Sequence, residues 1–170
     1  MPTSTAAAPF ILAIGGSRRL SPGAAESARL ISSALLKTGY RLAVGCATGV
    51  DAAVMAAAVA DWRASQLHIH TAFGPITGSV SCYGVAGTGS CSATAAVALA
   101  THAGAKVTAW AGGGPTLAFP QRLSNRTRAV ARAVTCGGIV ICDGEPGNGS
   151  ALLCRSLAAR GLPIWLFPVG

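Results

Sequence analysis

The arginines are the side chains of this chain best suited to chemistry. In "FPQRLSNRTRAVARAV", Phe119 to Val134, the residues Arg122, Arg126, Arg128 and Arg132 crowd into a chain of which only 11% is charged. A guanidinium is a flat fork of N–H donors that matches phosphate or carboxylate through paired hydrogen bonds. A charge run is also the ordinary mark of a solvated helix face, so position has to separate the two readings. A helix beginning near Ser124 puts Arg122 and Arg126 at or just before its N-terminus, where positive charge opposes the helix dipole by about 0.3–1 kcal/mol. An anion bound at that end removes the conflict. Arg128 and Arg132, further along, read as a solvated face or an extension of the basic track.

Other polar loops repeat the theme. "GGSRRLS", "GCATGVD" and "DGEPGNGS" each follow a short apolar run and lead into a helical stretch. Glycines let backbone N–H groups approach a ligand, and a helix start offers unpaired donors with partial positive charge, so such loops suit phosphate. No lysine follows the glycines as a Walker A motif requires, which argues against a P-loop NTPase. "GVAGTGS" in the stretch 74–90 lacks the third glycine of a dinucleotide fingerprint. That stretch, rich in Gly and Ser, is long for a loop and matches no element.

The elements that carry these loops are legible from their ends. Apolar runs at 10–16, 40–45, 67–74, 106–112, 137–143 and 163–169 read as six strands, most of them buried on both faces. Ser21 as N-cap, Pro22 at the first helical position and Gly39 as stop bound one helix; others start near Asp51, within 91–104, near Ser124 and at Ser150. Alternating strands and helices predict an α/β, three-layer Rossmann-like fold around a mostly parallel sheet. In such sheets ligands sit beyond the carboxyl ends of the strands, where all four polar loops fall. Residues 1–9 read as a loose tail, and 10–170 as one domain.

Composition narrows the partners. Lys and Arg number 13 against 5 Asp and Glu, a formal charge of +8, so anions such as nucleotides or nucleic acid are favoured. Six cysteines without a CxxC pair, and His68, His70 and His102 away from zinc-site spacing, read as buried thiols and core or edge histidines; no metal is expected. The N-terminus lacks a basic leader region and its apolar run is too short to span a bilayer. The expectation is a cytoplasmic protein, monomeric or homodimeric, with no membrane partner and no cofactor.

Taken in order, "AIGGSRRLS", "GYRLAVGCATGVDAAVMAAA", "FPQRLSNRTRAVARAV" and "DGEPGNGSALLCRSLAARGLPIWLFPVG" resemble the family of the DNA-processing protein DprA (Smf), within the SLOG superfamily of Rossmann-like nucleotide-binding domains. The likeness covers nearly the whole chain. It implies that a GSR turn, a glycine-rich loop and an F-P-x-R-N-R segment build a basic pocket for single-stranded DNA. Gly16, Ser17 and Arg18 match the turn; Gly45, Gly49 and Asp51 match the loop, which also contains Thr48. Phe119, Pro120, Arg122, Asn125 and Arg126 match the third segment, with Leu123 and Ser124 inserted. Gly149 and Ser150 fall at a later serine-glycine position in reversed order.

The resemblance therefore implies phosphate contacts from Arg18, Arg122 and Arg126, donors from Gly45, Gly49 and Ser150, and Asn125 orienting the loop or reading a base or sugar edge. Asp51 fits an N-cap. A related branch, the LOG-type phosphoribohydrolases, uses P-G-G-x-G-T-x-x-E; "PGNGSALL" follows its glycines loosely but ends with Leu153 where the catalytic Glu would stand. No catalytic residue is expected. The alternatives are an N-glycosidase on a free nucleotide, with Asp51 or Glu145 as acid or base, and a signalling module that senses a nucleotide.

Overall fold

The computed structural model describes residues 9–74, 84–85, 89–90 and 92–169. Six strands form one parallel sheet: β1 (Ile11–Gly16), β2 (Arg41–Val44), β3 (Leu67–His70), β6 (Lys106–Thr108), β7 (Gly137–Cys142) and β8 (Ile164–Pro168), in the order β6-β3-β2-β1-β7-β8. Between β3 and β6, β4 (Gly84–Val85) pairs antiparallel with β5 (Gly89–Ser90). Most of the stretch 74–90 that matched no element lies outside the described residues. The helices are α1 (Pro22–Lys37), α2 (Val50–Ala60), α3 (Thr94–His102), α4 (Phe119–Ala133) and α5 (Asn148–Ala158). The six expected strands are all present and all parallel, and the expected α/β three-layer architecture is the one observed.

Strand alternation assigns the layers. Leu12 and Ile14 of β1, Leu42 and Val44 of β2, Leu67 and Ile69 of β3, and Ile139 and Ile141 of β7 point to one face, where they pack with residues of α1, α2 and α3. Ala13, Ala43, Val140 and Cys142 point to the other face, against Val130, Ala131 and Val134 at the end of α4 and Leu153 and Leu157 of α5. Large side chains fill the first layer and small ones the second. The small ones bring α5 close: a Cβ on Gly138 would stand 2.4 Å from Leu157.

Helix ends follow their chemistry. Ser21 caps α1 by accepting the Ala24 N–H at 3.4 Å, with Pro22 beginning the helix as expected. The helix stops at Gly39, whose φ of 91° is one that glycine adopts without strain. Two starts differ from expectation. α4 begins at Phe119, not near Ser124, because Pro120 occupies its first turn and supplies a helical φ. α5 begins at Asn148, so Ser150 is already helical.

At the sheet's edge, β8 departs from the buried pattern. Trp165, Leu166 and Phe167 are all exposed, since β7 flanks this strand on one side only. Among the described residues no helix is long and apolar enough to cross a membrane.

Candidate functional site

The order of strands places β1 between β2 and β7, and the loops leaving the carboxyl ends of these three strands converge. They line a cleft of about 660 Å³ together with α4 and the start of α5. Gly16, Ser17, Arg18, Gly45, Asp51, Arg126, Gly149 and Ser150, all candidates from the sequence, lie on it, as do Arg19, Asp143, Glu145 and Asn148.

Ser17 holds the loops in register. Its backbone N–H donates to Ile141 O at 3.0 Å, and its carbonyl accepts the Val50 N–H at 3.1 Å. Its hydroxyl oxygen accepts the Asp143 N–H at 2.9 Å. Asp143 closes the circle by accepting the Ser21 N–H at 2.5 Å. Gly49 is obligatory here: its φ is 81°, and a Cβ would stand 2.1 Å from Ser17 O. Gly49 and Thr48 thus shape the loop without lining the cleft, and the Thr48 N–H donates to Ser92 Oγ at 3.0 Å.

Asp51 and Arg126 form the charged floor. Asp51 was expected as an N-cap, but Gly49 holds that place and Asp51 sits inside the first turn of α2. Its Oδ2 accepts the Ala47 N–H at 3.0 Å and pairs with Arg126 Nη1 at 3.2 Å. Both side chains are more than nine-tenths buried. Gly45 makes the seat: a Cβ there would stand 1.4 Å from Arg126 Nη1 and 2.5 Å from Asp51 Oδ2. Arg126 Nε is buried without a hydrogen-bond acceptor among the described residues. Arg126 does not oppose the helix dipole as expected from a start near Ser124. With α4 starting at Phe119, Arg126 lies two turns inside, and its charge is answered by a carboxylate.

Arg122, one turn earlier, is not on the cleft lining. Its guanidinium carbon stands 4.9 Å from the Phe73 ring centre, 5.7 Å from Trp110 and 5.9 Å from Phe119, with the side chain only 3% exposed. Rings offer their negative faces to the cation, a contact worth about 2 kcal/mol when desolvated. Asn125 also works inward: its Nδ2 donates to Gly112 O at 3.0 Å, and its Oδ1 accepts from Arg128 at 3.0 Å. Of its two expected roles, the observed contacts are those of orienting the loop.

What the cleft offers to solvent is different. Arg18 and Arg19 are exposed, and α5 starts without a side-chain cap or an acid in its first turn. Its first N–H groups therefore have no side-chain acceptor from the cap position, which is the condition for holding an anion. Glu145 is exposed on the lining, while Asp143 is engaged with Ser21. Leu153 is buried in the second core layer and borders the cleft, where its side chain offers no ionisable group. No group of three or more potential metal ligands occurs among the described residues.

Behind the floor, on the α4 side of β3, His70 stacks on His68 with ring centres 4.1 Å apart. Burial holds its pKa down to about 3, reinforced by the positive surroundings of His68, Arg126, Lys106 and Arg132. His68 Nε2 bonds Thr108 Oγ1 at 2.7 Å. Sequence reading took both as core or edge histidines, which agrees with this place. It missed the aromatic seat of Arg122 and the tie of Asp143 to Ser17, since both depend on loops far apart in sequence.

No protein-family profile and no curated protein sequence matches the chain. Solved structures do. DNA processing protein A from Helicobacter pylori, a single-stranded DNA binder, superposes with a TM-score of 0.68 at 17% identity, over 95% of this chain and 66% of that one. The fold is that of DprA. The Streptococcus pneumoniae protein gives a TM-score of 0.66 at 21% identity, again over 95% of this chain, and over 51% of its own. The chain thus spans about two-thirds to one half of these DprA chains, and the likeness concerns their architecture.

Proposed function

We propose that this chain binds single-stranded DNA along the cleft, as a DNA-processing domain of the DprA type working in the cytoplasm. One observation carries the reading: exposed Arg18 and Arg19 share a cleft with the uncapped start of α5, in a fold common to a protein that binds single-stranded DNA. The arginines supply charge and the helix start supplies directed N–H donors, both suited to phosphate. Gly16, Gly149 and Ser150 bring backbone and hydroxyl close to the strand. The excess positive charge supports an acidic polymer over a neutral ligand. Cys136, Cys142 and Cys154 are free thiols, in keeping with a reducing compartment.

The leucine at position 153, on the wall of the cleft, supports binding without N-glycoside cleavage, because an aliphatic side chain can neither transfer a proton nor stabilise a cationic sugar. Fluorescence anisotropy with a labelled oligothymidine tests the proposal. Neutralisation of about three to five phosphates gives a slope of log affinity on log salt near −2 to −4 for a single strand. Duplex of equal length binds more weakly, since loops at a sheet edge do not enter a groove. A flat salt response, or tight binding of a mononucleotide with none of DNA, would sink this reading.

A further inference from the structure

The floor of the cleft contains a cation already paired with a carboxylate. We infer that Asp51 is an internal competitor for Arg126: its carboxylate occupies the place at that guanidinium that a phosphate would take. The inference deepens the DNA-binding reading and rests on it for the natural ligand, although its physical content concerns any phosphate.

Three observations converge. First, Asp51 Oδ2 sits 3.2 Å from Arg126 Nη1 and is itself fixed by the Ala47 N–H, so the carboxylate is held in place by the loop that borders the cleft. Second, Arg126 lies directly over Gly45, where no other residue would admit it, and its Nε has no acceptor among the described residues and no exposure to solvent. A buried donor left without an acceptor is costly, and the seat is therefore not the arrangement that satisfies the guanidinium best. Third, Arg126 still borders the same cleft as Arg18 and Arg19, so an anion drawn in by those exposed cations comes within reach of it.

A carboxylate and a phosphate are alternative partners for one guanidinium fork. While Asp51 holds Arg126, the cleft presents one cation fewer than it contains. Neutralising Asp51 leaves Arg126 available to the ligand and adds one phosphate contact. Asp51 acts here as a positioning residue: it need not touch the ligand, and it decides which cations do.

The test compares the full chain with Asp51→Asn, which keeps the side-chain oxygen for the Ala47 N–H. For the oligothymidine, Asp51→Asn is expected to bind severalfold more tightly at low salt. Its salt slope should steepen by about 0.7, the increment for one further phosphate on a single strand. Adding Arg126→Gln to that background abolishes the gain. Inorganic tripolyphosphate, followed by its stabilisation of the protein in thermal melts, gives the same ranking without nucleic acid. If neither protein binds DNA while Asp51→Asn gains affinity for tripolyphosphate, the DNA reading fails and the competitor role stands. If Asp51→Asn binds both probes more weakly, or its slope is unchanged or shallower, Asp51 presents Arg126 to the ligand and the inference is overturned. Should Asp51→Asn fail to fold, the doubly substituted chain, in which no charge is left unpaired, is measured against the wild type: a loss of about 0.7 in slope would show that Arg126 already contacts phosphate and overturn the inference, while an equal slope upholds it.

Discussion

Arg122 and Arg126 stand one turn apart on the same helix and are both buried, yet the protein accommodates their charges by opposite means. Arg122 lies among the faces of Phe73, Trp110 and Phe119; Arg126 lies against the carboxylate of Asp51. Aromatic faces attract a cation without carrying a charge of their own, so the rings themselves need no counter-charge when the cation goes. A carboxylate in the same depth of protein is a charge that needs its partner. The first seat is therefore a permanent fixture of the fold, and the second is one whose partner can be exchanged.

Removing Arg126 gives the largest effect. Arg126→Ala leaves Asp51 buried with only the Ala47 N–H to answer it, and unfolding by denaturant should show a loss of about 3–5 kcal/mol. Combining it with a neutral residue at position 51 should recover much of that loss. An Arg126→Ala chain as stable as wild type would show that the pair is solvated, and the contrast between the seats would collapse.

Arg122→Ala comes next, with an expected loss of about 2–3 kcal/mol from lost cation–ring contact and packing. Arg122→Lys should restore less than half of it, because a flat guanidinium stacks on ring faces and a compact ammonium does not. Unlike changes at Asp51 and Arg126, changes at Arg122 should leave the salt dependence of ligand binding alone once the fold is intact. An altered salt slope would place Arg122 on the ligand's path.

A third measurement reads the ground behind the Arg126 seat. His70 is neutral in the folded protein, with its pKa held near 3 against an ordinary value of 6.5. The unfolded chain binds a proton there below pH 6.5 and the folded chain does not, so stability falls as pH drops from about 6.5 towards 3. One proton corresponds to a slope of about 1.4 kcal/mol per pH unit at most. His70→Leu should flatten that part of the stability curve by about one proton, measured as the pH dependence of the urea midpoint. An unchanged curve would mean that His70 is reached by water or by an acid partner.

The same contrast explains what the sequence disclosed. Strands were legible because each buried strand is a short apolar run closed by a glycine or polar turn, and α1 because Ser21, Pro22 and Gly39 mark both ends. The cleft was legible as a set of loops, since strand order and polar composition put them at one edge. The start of α4 was misplaced because Ser124 resembles an N-cap, whereas Pro120 was the informative residue. The roles of the two arginines were not legible. Asp51 is 75 residues from Arg126, and the rings around Arg122 come from loops after β3 and β6 as well as from α4 itself. A spacing rule sees neighbours on one helix, and apart from Phe119 these partners come from other elements.

The smallest expected effect belongs to Arg128, which continues the run of arginines but not its burial. Its side chain is exposed, and its Nη1 donates to Asn125 Oδ1 three residues earlier on the same helix. A pair of this kind gains little, since water solvates both partners in the unfolded chain and two side chains must be held to make it. Arg128→Ala should change stability by less than about 0.5 kcal/mol, within the usual range for surface substitutions. Asn125 keeps its donated bond to Gly112 O, which is the contact that ties α4 to the preceding loop. Thermal melts of Arg128→Ala beside Asn125→Ala separate the two: the second loses about 1 kcal/mol with that bond. If Arg128→Ala cost as much as Asn125→Ala, the surface bond would be what orients Asn125, and the division of this helix into buried, partnered arginines and exposed, dispensable ones would have to be redrawn at residue 125.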